Sequence, residues 1–339
     1  MRLVVVTQEV DPASPVLGAT VAKLRALAAR VDELVVLADS AVEGVLPATA
    51  RAHLFGASTK AARGVRFEKA LAGELRRRPR PAAVLAHMCP IYAVLAAPLA
   101  RPLGTRVLLW FTHWRASRLL RLAERVSTTV ISVDRGSFPL PSQKLVAIGH
   151  GIDIADFRCT ARERDGALRL LALGRTSPAK GLDTIVRAVT AVADSTLDVR
   201  GPSLTDDEKA HRRVLERLVA ELGVGERVRI GNAVPREEVP NLLGQFDALV
   251  NNMRAGAPDK VVYEAAATCL PVLASNPVFA GFLPDELRFP RESPDDLATR
   301  IRGLSELDLG AIGRELREKV VREHSVESWA DQVVELAAR

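Results

Sequence analysis

The chain holds 339 residues, 48% hydrophobic and 26% charged, which excludes a disordered or fibrous protein and leaves room for about two domains with separate cores. No apolar run reaches the roughly 18 residues of a membrane helix, and Met1 to Thr7 lacks the long apolar core of a signal peptide, so a cytoplasmic location is expected. The net charge of +6 is lopsided: residues 1–150 carry 21 Lys and Arg against 10 Asp and Glu, whereas residues 151–339 carry 26 against 31.

In chain order, the first half alternates short aliphatic runs with amphipathic stretches. Strands are predicted at Arg2–Thr7, Leu34–Ala38, Ala82–Ala86, Arg106–Phe111, Thr128–Val133 and Lys144–Ile148, with helices at Ala19–Ala29, Phe67–Arg77, Ile91–Leu99 and Ala116–Val126. The second half repeats the scheme, with strands at Arg169–Leu173, Leu197–Arg200, Arg227–Ile230, Ala248–Val250 and Pro271–Ala274. Its helices fall near Leu182–Ala193, Asp206–Glu221, Glu237–Leu243, Val261–Cys269, Pro294–Leu304 and Ala311–His324, and a last one lies within Ser325–Leu336. Aliphatic strands without polar alternation suit a parallel sheet covered by helices on both faces, which places the chain in the α/β class. The irregular segment from His150 to Arg164 reads as a hinge. The simplest architecture is therefore two doubly wound, Rossmann-like domains, 1–150 and 151–325, facing a central cleft.

The cations of the first half are densest from Lys60 to Lys69 and at Arg76-Arg77-Arg78-Pro79-Arg80. Such clusters point to an anionic partner, either an acidic lipid surface on the inner face of a membrane or a phosphorylated acceptor. Nucleic acid is unlikely, because aromatics are only 4% of residues and none interleave with these clusters as in single-strand readers. The plainer alternative is a set of solvated helix faces. Cys89, Cys159 and Cys269 are scattered and have no metal-ligand spacing, so they read as small buried residues, with neither a disulfide nor a zinc site implied.

Two stretches carry chemistry. In Arg169 to Ile185 a buried strand ends at Gly174, and Arg175 and Lys180 follow just before a helix start. Amide N–H groups at a helix start attract an anion, and a guanidinium plus an ammonium add two full charges, so a diphosphate is the natural guest. In Phe246 to Ser275 a strand, loop, helix and strand follow one another. Asp259 suits the N-cap of that helix, and Glu264 sits where a carboxylate can take two adjacent sugar hydroxyls. Solvated loop charges and a surface glutamate are the plainer readings of both stretches.

The segments Leu173-Gly-Arg-Thr-Ser-Pro-Ala-Lys-Gly181, Gly149-His-Gly-Ile-Asp153 and Val262-Tyr-Glu-Ala-Ala-Ala-Thr-Cys-Leu-Pro-Val272 resemble the retaining nucleotide-sugar glycosyltransferases of family 4, which have the GT-B fold. The resemblance covers nearly the whole chain and includes Asp247-Ala-Leu-Val250. It implies that Arg175 and Lys180 hold the donor diphosphate and that Glu264 binds the nucleotide's ribose. Backbone amides at Lys260 and Val261 would meet the phosphates, and Gly231 to Pro235, with Val234, would lie at the nucleobase. Val16-Leu-Gly18-Ala-Thr20 is similar to the family's glycine turn, and His87 stands where the family often carries a histidine near the reacting sugar. His113 and His150 would line the cleft, and the last helix, 326–339, would cross back to the first domain.

One departure matters. The first acid of the family's E-x7-E pattern falls at Gly256, which leaves Asp259 as the candidate contact to the donor sugar. The expected activity is retaining transfer of a sugar from a nucleoside diphosphate donor to an unidentified acceptor. No metal or other cofactor is expected, since two cations and helix-start amides can stabilise the leaving diphosphate. The rivals are a sugar-nucleotide epimerase, which product analysis without acceptor would reveal, and a non-catalytic sugar-nucleotide binder.

Overall fold

The structure, a computed structural model, describes residues 1–14, 17–160 and 166–339. It divides into two compact units, residues 1–153 with 323–339, and residues 154–322.

In the first unit the strands are β1 (Arg2–Val10), β2 (Glu33–Ala41), β3 (Ala50–Leu54), β4 (Ala83–His87), β5 (Arg106–Trp110), β6 (Thr129–Ser132) and β7 (Leu145–Ala147). They pair in the order β3-β2-β1-β4-β5-β6-β7, all parallel. The crossovers include α1 (Thr20–Ala28), α2 (Lys60–Arg76), α3 (Pro90–Ala100) and α4 (Arg118–Val126). Because side chains alternate along a strand, Val4, Val6, Val84, Ala86, Val107 and Leu109 share one face, where Phe67, Leu71, Tyr92 and Leu120 pack onto them.

The second unit contains β8 (Leu168–Leu173), α5 (Leu182–Thr190), β9 (Ser195–Arg200), α6 (Asp206–Glu221), β10 (Val228–Ile230) and α7 (Val239–Leu243). It continues with β11 (Ala248–Asn251), α8 (Lys260–Ala267), β12 (Val272–Ala274), α9 (Pro294–Gly303) and α10 (Leu309–His324). The sheet order is β10-β9-β8-β11-β12, again parallel. In each sheet the chain steps outward from its first strand on one side and then resumes on the other. The strand order therefore switches at β1/β4 and at β8/β11, and the crevice beyond such a switch is where open α/β sheets bind ligands.

The last helix, α11 (Val326–Ala338), belongs to the first unit. Its Trp329 meets Trp110 edge to face at 5.4 Å, and the Lys23 ammonium lies 4.7 Å from the Trp110 ring centre and 5.2 Å from that of Trp329. Where the chain leaves this unit and re-enters it, the two passages are hydrogen-bonded side by side. Ile152 N–H donates to the His324 carbonyl and Val326 N–H to that of Ile152, both at 2.7 Å. A Cβ on Gly149 would fall 1.8 Å from the Glu323 carbonyl, so only glycine fits there.

The structure corrects several expectations. Strand β3 was not legible, because Ala50–Leu54 is a mostly exposed edge without an apolar run. Helix α2 starts at Lys60 rather than near Phe67, since Thr59 caps it by accepting from Ala62 N–H at 3.2 Å, ahead of the first buried residue. Cys159 and Cys269 form a disulfide with Cα atoms 5.0 Å apart, contrary to the sequence reading; a separation of 110 residues gives no local sign of the pairing. Cys89 is a free, buried cysteine. Among the described residues no helix is long and apolar enough to cross a membrane.

Charges at the start of the chain are not spare either. Arg2 is 4% exposed and donates to Glu74 at 2.6 Å, to Glu33 at 2.6 Å and to the Pro79 carbonyl at 2.7 Å. Arg51 and Arg77 close on the same two carboxylates, so Arg77 of the basic cluster is tied down within its own unit.

Candidate functional site

Beyond the end of β8, Gly174 and Arg175 lead into a single helical turn, Pro178–Lys180, opened by Ser177, whose hydroxyl accepts from Ala179 N–H at 3.3 Å. Gly181 closes the turn at φ +52°, and a Cβ there would lie 2.3 Å from the Asn252 side-chain nitrogen. A side chain would thus be both strained and obstructed. Asn252 donates to the Gly181 carbonyl at 2.9 Å, and Arg254 N–H donates to that of Ala179 at 3.1 Å. The loops after β8 and β11, the two strands flanking the switch, are thereby held together.

Asp259 occupies the position before α8, but its side chain makes no cap hydrogen bond, contrary to expectation. It is instead paired with the Lys180 ammonium, and Asn251 donates to the same oxygen at 2.8 Å. Burial pushes the Asp259 pKa up, yet Lys180, Asn251 and Lys260 outweigh it and hold the carboxyl below its ordinary value. The uncapped start of α8 leaves the Lys260 and Val261 amides without an intrahelical acceptor, which is the arrangement that receives an anion. Arg175, with a half-exposed side chain, pairs at 3.2 Å with Glu208, whose other oxygen accepts from Leu204 N–H at 2.7 Å at the start of α6. Both expected diphosphate ligands are thus ion-paired here.

Glu264 lies one turn into α8 and is 3% exposed. One of its oxygens receives Lys260 Nζ at 2.9 Å and Arg236 Nη1 at 2.5 Å. Burial raises its pKa, but the two cations lower it by more, so the net shift is downward. Arg236 follows the Gly231–Pro235 loop, in which Val234 is half-buried, and its guanidinium lies 5.4 Å from the Phe157 ring centre. Sequence reasoning missed Arg236. Its only signal was its place directly after that loop, 28 residues from Glu264. Gly256 offers no acid, and its carbonyl accepts from the Asn276 side chain at 3.2 Å.

In the first unit, Gly18 precedes α1 in a turn where a Cβ would lie 2.6 Å from the Pro12 carbonyl; Val16 of the same motif lies outside the described residues, as does Arg164 of the hinge. His87 lies at the end of β4. It is 4% exposed, its ring is parallel to that of Trp110, and neither ring nitrogen has a hydrogen bond among the described residues. Burial, with Lys23 nearby, drives its pKa well down, so it is a neutral buried ring. Of His87, His113 and His150, it is His113 that is partly exposed. Its Nδ1 accepts from Arg115 N–H at 3.0 Å, so the neutral ring carries its proton on Nε2. His150 is buried in the loop after β7. Close to His113, Trp114, Leu119 and Leu122 are exposed among the exposed Arg115, Arg118, Arg121 and Arg125.

The family of glycosyl transferases group 1 matches residues 154–322. A curated relative, the GDP-mannose-dependent alpha-(1-6)-phosphatidylinositol monomannoside mannosyltransferase of Mycolicibacterium smegmatis, is 29% identical over 215 residues. That match covers 53% of this chain and 55% of the relative, about half the length of each. Among solved structures, sucrose-phosphate synthase of Thermosynechococcus elongatus is similar at 18% identity and a TM-score of 0.78, covering 99% of this chain and 98% of that one. HepE of Anabaena in complex with UDP is similar at 16% identity and a TM-score of 0.79, covering 99% of both chains. The second unit thus matches the glycosyl transferases group 1 over its whole length, and the chain, with its two parallel sheets, has the GT-B fold.

Proposed function

We propose that the protein is a retaining, metal-independent glycosyltransferase whose donor is a nucleoside diphosphate sugar bound at the β8/β11 switch, and whose acceptor is presented at an anionic membrane surface. The observation that carries the donor reading is the juxtaposition of Lys180 with the uncapped start of α8, with Arg175 in the same loop. As the bond from the anomeric carbon to the diphosphate breaks, negative charge grows on the departing phosphate oxygen. Arg175 and Lys180, turned from Glu208 and Asp259 toward the diphosphate, offset that charge together with the fixed amides. The acceptor oxygen forms the new bond on the same face, and its proton passes to the departing phosphate. Support for a nucleotide donor comes from a relative that is GDP-mannose-dependent and from a fold neighbour solved with UDP.

A thermal-shift screen of UDP, GDP, ADP and CDP, with their common sugars, tests this beside Arg175→Ala. A ligand that binds only the folded state raises the melting temperature. One nucleotide is expected to shift the wild type and not the variant. No shift with any of them would sink the transferase reading. A second reading, a binder without turnover, is favoured by Gly256; a clear shift with neither transfer nor donor hydrolysis would select it.

The membrane part rests on the exposed Trp114, Leu119 and Leu122 among arginines, together with the exposed Arg76 and Arg78. Each arginine near an acidic surface contributes about 1 kcal/mol, or roughly fivefold in binding. Replacing Arg118, Arg121 and Arg125 together, or Arg76, Arg78 and Arg80 together, with alanine should therefore weaken sedimentation with phosphatidylserine vesicles at least tenfold. Unchanged sedimentation in both variants removes the membrane reading.

A further inference from the structure

We infer that Arg236 is a positioning residue of the nucleotide pocket, clamping one oxygen of Glu264 so that the other faces the ribose of the donor. The inference rests on the donor reading above. The geometry is specific to one carboxylate oxygen. Arg236 Nη1 and Lys260 Nζ both reach Oε1, at 2.5 and 2.9 Å, and Oε2 accepts no hydrogen bond from the described residues. A carboxylate fixed at one oxygen by two charges has one orientation, and its remaining lone pairs point one way. The guanidinium is itself fixed, because it lies over the Phe157 ring at 5.4 Å while its Nη1 donates to Glu264.

The clamp also decides whether Glu264 can accept hydrogen bonds at all. The side chain is almost fully buried, which favours the protonated form, and a protonated carboxyl spends one oxygen as a donor. The charged groups acting on Glu264 are Lys260, on its own helix, and Arg236, which precedes α7. Lys260 alone, one turn away and about a third exposed, must offset the burial when Arg236 is removed. The pKa of Glu264 then rises. Nucleotide affinity, flat in the wild type because the carboxyl stays ionised, would in that variant fall as pH drops through the raised pKa.

The test is calorimetric titration of the intact protein with UDP and GDP from about pH 5.5 to 8.5, with the 2′-deoxy forms alongside. The wild type should bind one of them with little pH dependence and prefer the ribo form. Arg236→Gln should bind roughly tenfold more weakly at the acid end, recover toward the alkaline end and lose much of the ribo preference. Arg236→Lys should restore flat binding, and Glu264→Gln should be weak at every pH. Wild-type affinity in Arg236→Gln at all pH values would overturn the inference while leaving the donor site standing. So would a loss equal at every pH, which would mean that Arg236 touches the nucleotide itself. If the wild type binds neither, ADP and CDP are titrated in the same way, and if none of the four binds, the donor reading falls first and this inference with it.

Discussion

Lys180→Ala is expected to lower transfer by roughly 10²–10³ in kcat/KM and to weaken nucleoside diphosphate binding, more than any other single change in the second unit. The side chain is only 15% exposed and lies in the loop that ends β8, beside the uncapped start of α8. Its charge has two jobs. Without ligand it neutralises Asp259, which is 19% exposed, and with a diphosphate bound it would meet the phosphates. Losing it leaves a carboxylate with only Asn251 as a direct partner, at a cost of about 3 kcal/mol in stability. The double variant Lys180→Ala/Asp259→Asn separates the jobs. Melting temperature should recover in the double variant, whereas nucleotide affinity and transfer should not. If affinity returned together with stability, Lys180 would serve only to neutralise Asp259.

Glu74→Ala should be the most destabilising single change in the first unit, by about 3–5 kcal/mol. Glu74 is 7% exposed at its side chain and holds Arg2, which is 4% exposed, and Arg51 and Arg77 at the surface. Removing the carboxylate leaves the buried guanidinium of Arg2 with Glu33 and two backbone carbonyls, those of positions 74 and 79. The change should bring the first thermal transition down by roughly 10 °C. Replacing both buried ends together, Arg2→Met with Glu74→Leu, should come within about 1 kcal/mol of the wild type, because no uncompensated charge remains. A single variant as stable as the wild type would show that the pair is solvated rather than buried.

Much of this was legible in the sequence, and the reasons are physical. Aliphatic runs such as Leu170 to Leu173 can only be strands covered on both faces, so the alternation of strand and helix was readable in both halves. The loop with Arg175 and Lys180 was readable because Gly174 and Gly181 bracket it. What failed were features made by partners distant in sequence. Asp259 has the residue type and place of a cap, yet an ammonium 79 positions away claims its carboxylate. His87 ends a strand, and its burial beside Trp110 of the next strand and near Lys23 of α1 had no local sign. Arg236 had no local pattern at all. Short motifs reveal the backbone that shapes a site; which charges neutralise one another there depends on the tertiary fold.

The hydrogen-bonded pair of passages at Ile152 and Val326 has a consequence for the chain as a piece of engineering. Residues 154–322 enter and leave the first unit at a single point, so the second unit is a continuous insertion into a loop of a discontinuous host. Its ends are held close by the host's own backbone. Excising it should leave a gap that a few residues can close, and the excised segment could be circularly permuted without stretching its linker. Gly149 and its contact at Glu323 mark the place in the host where the seam must stay unaltered.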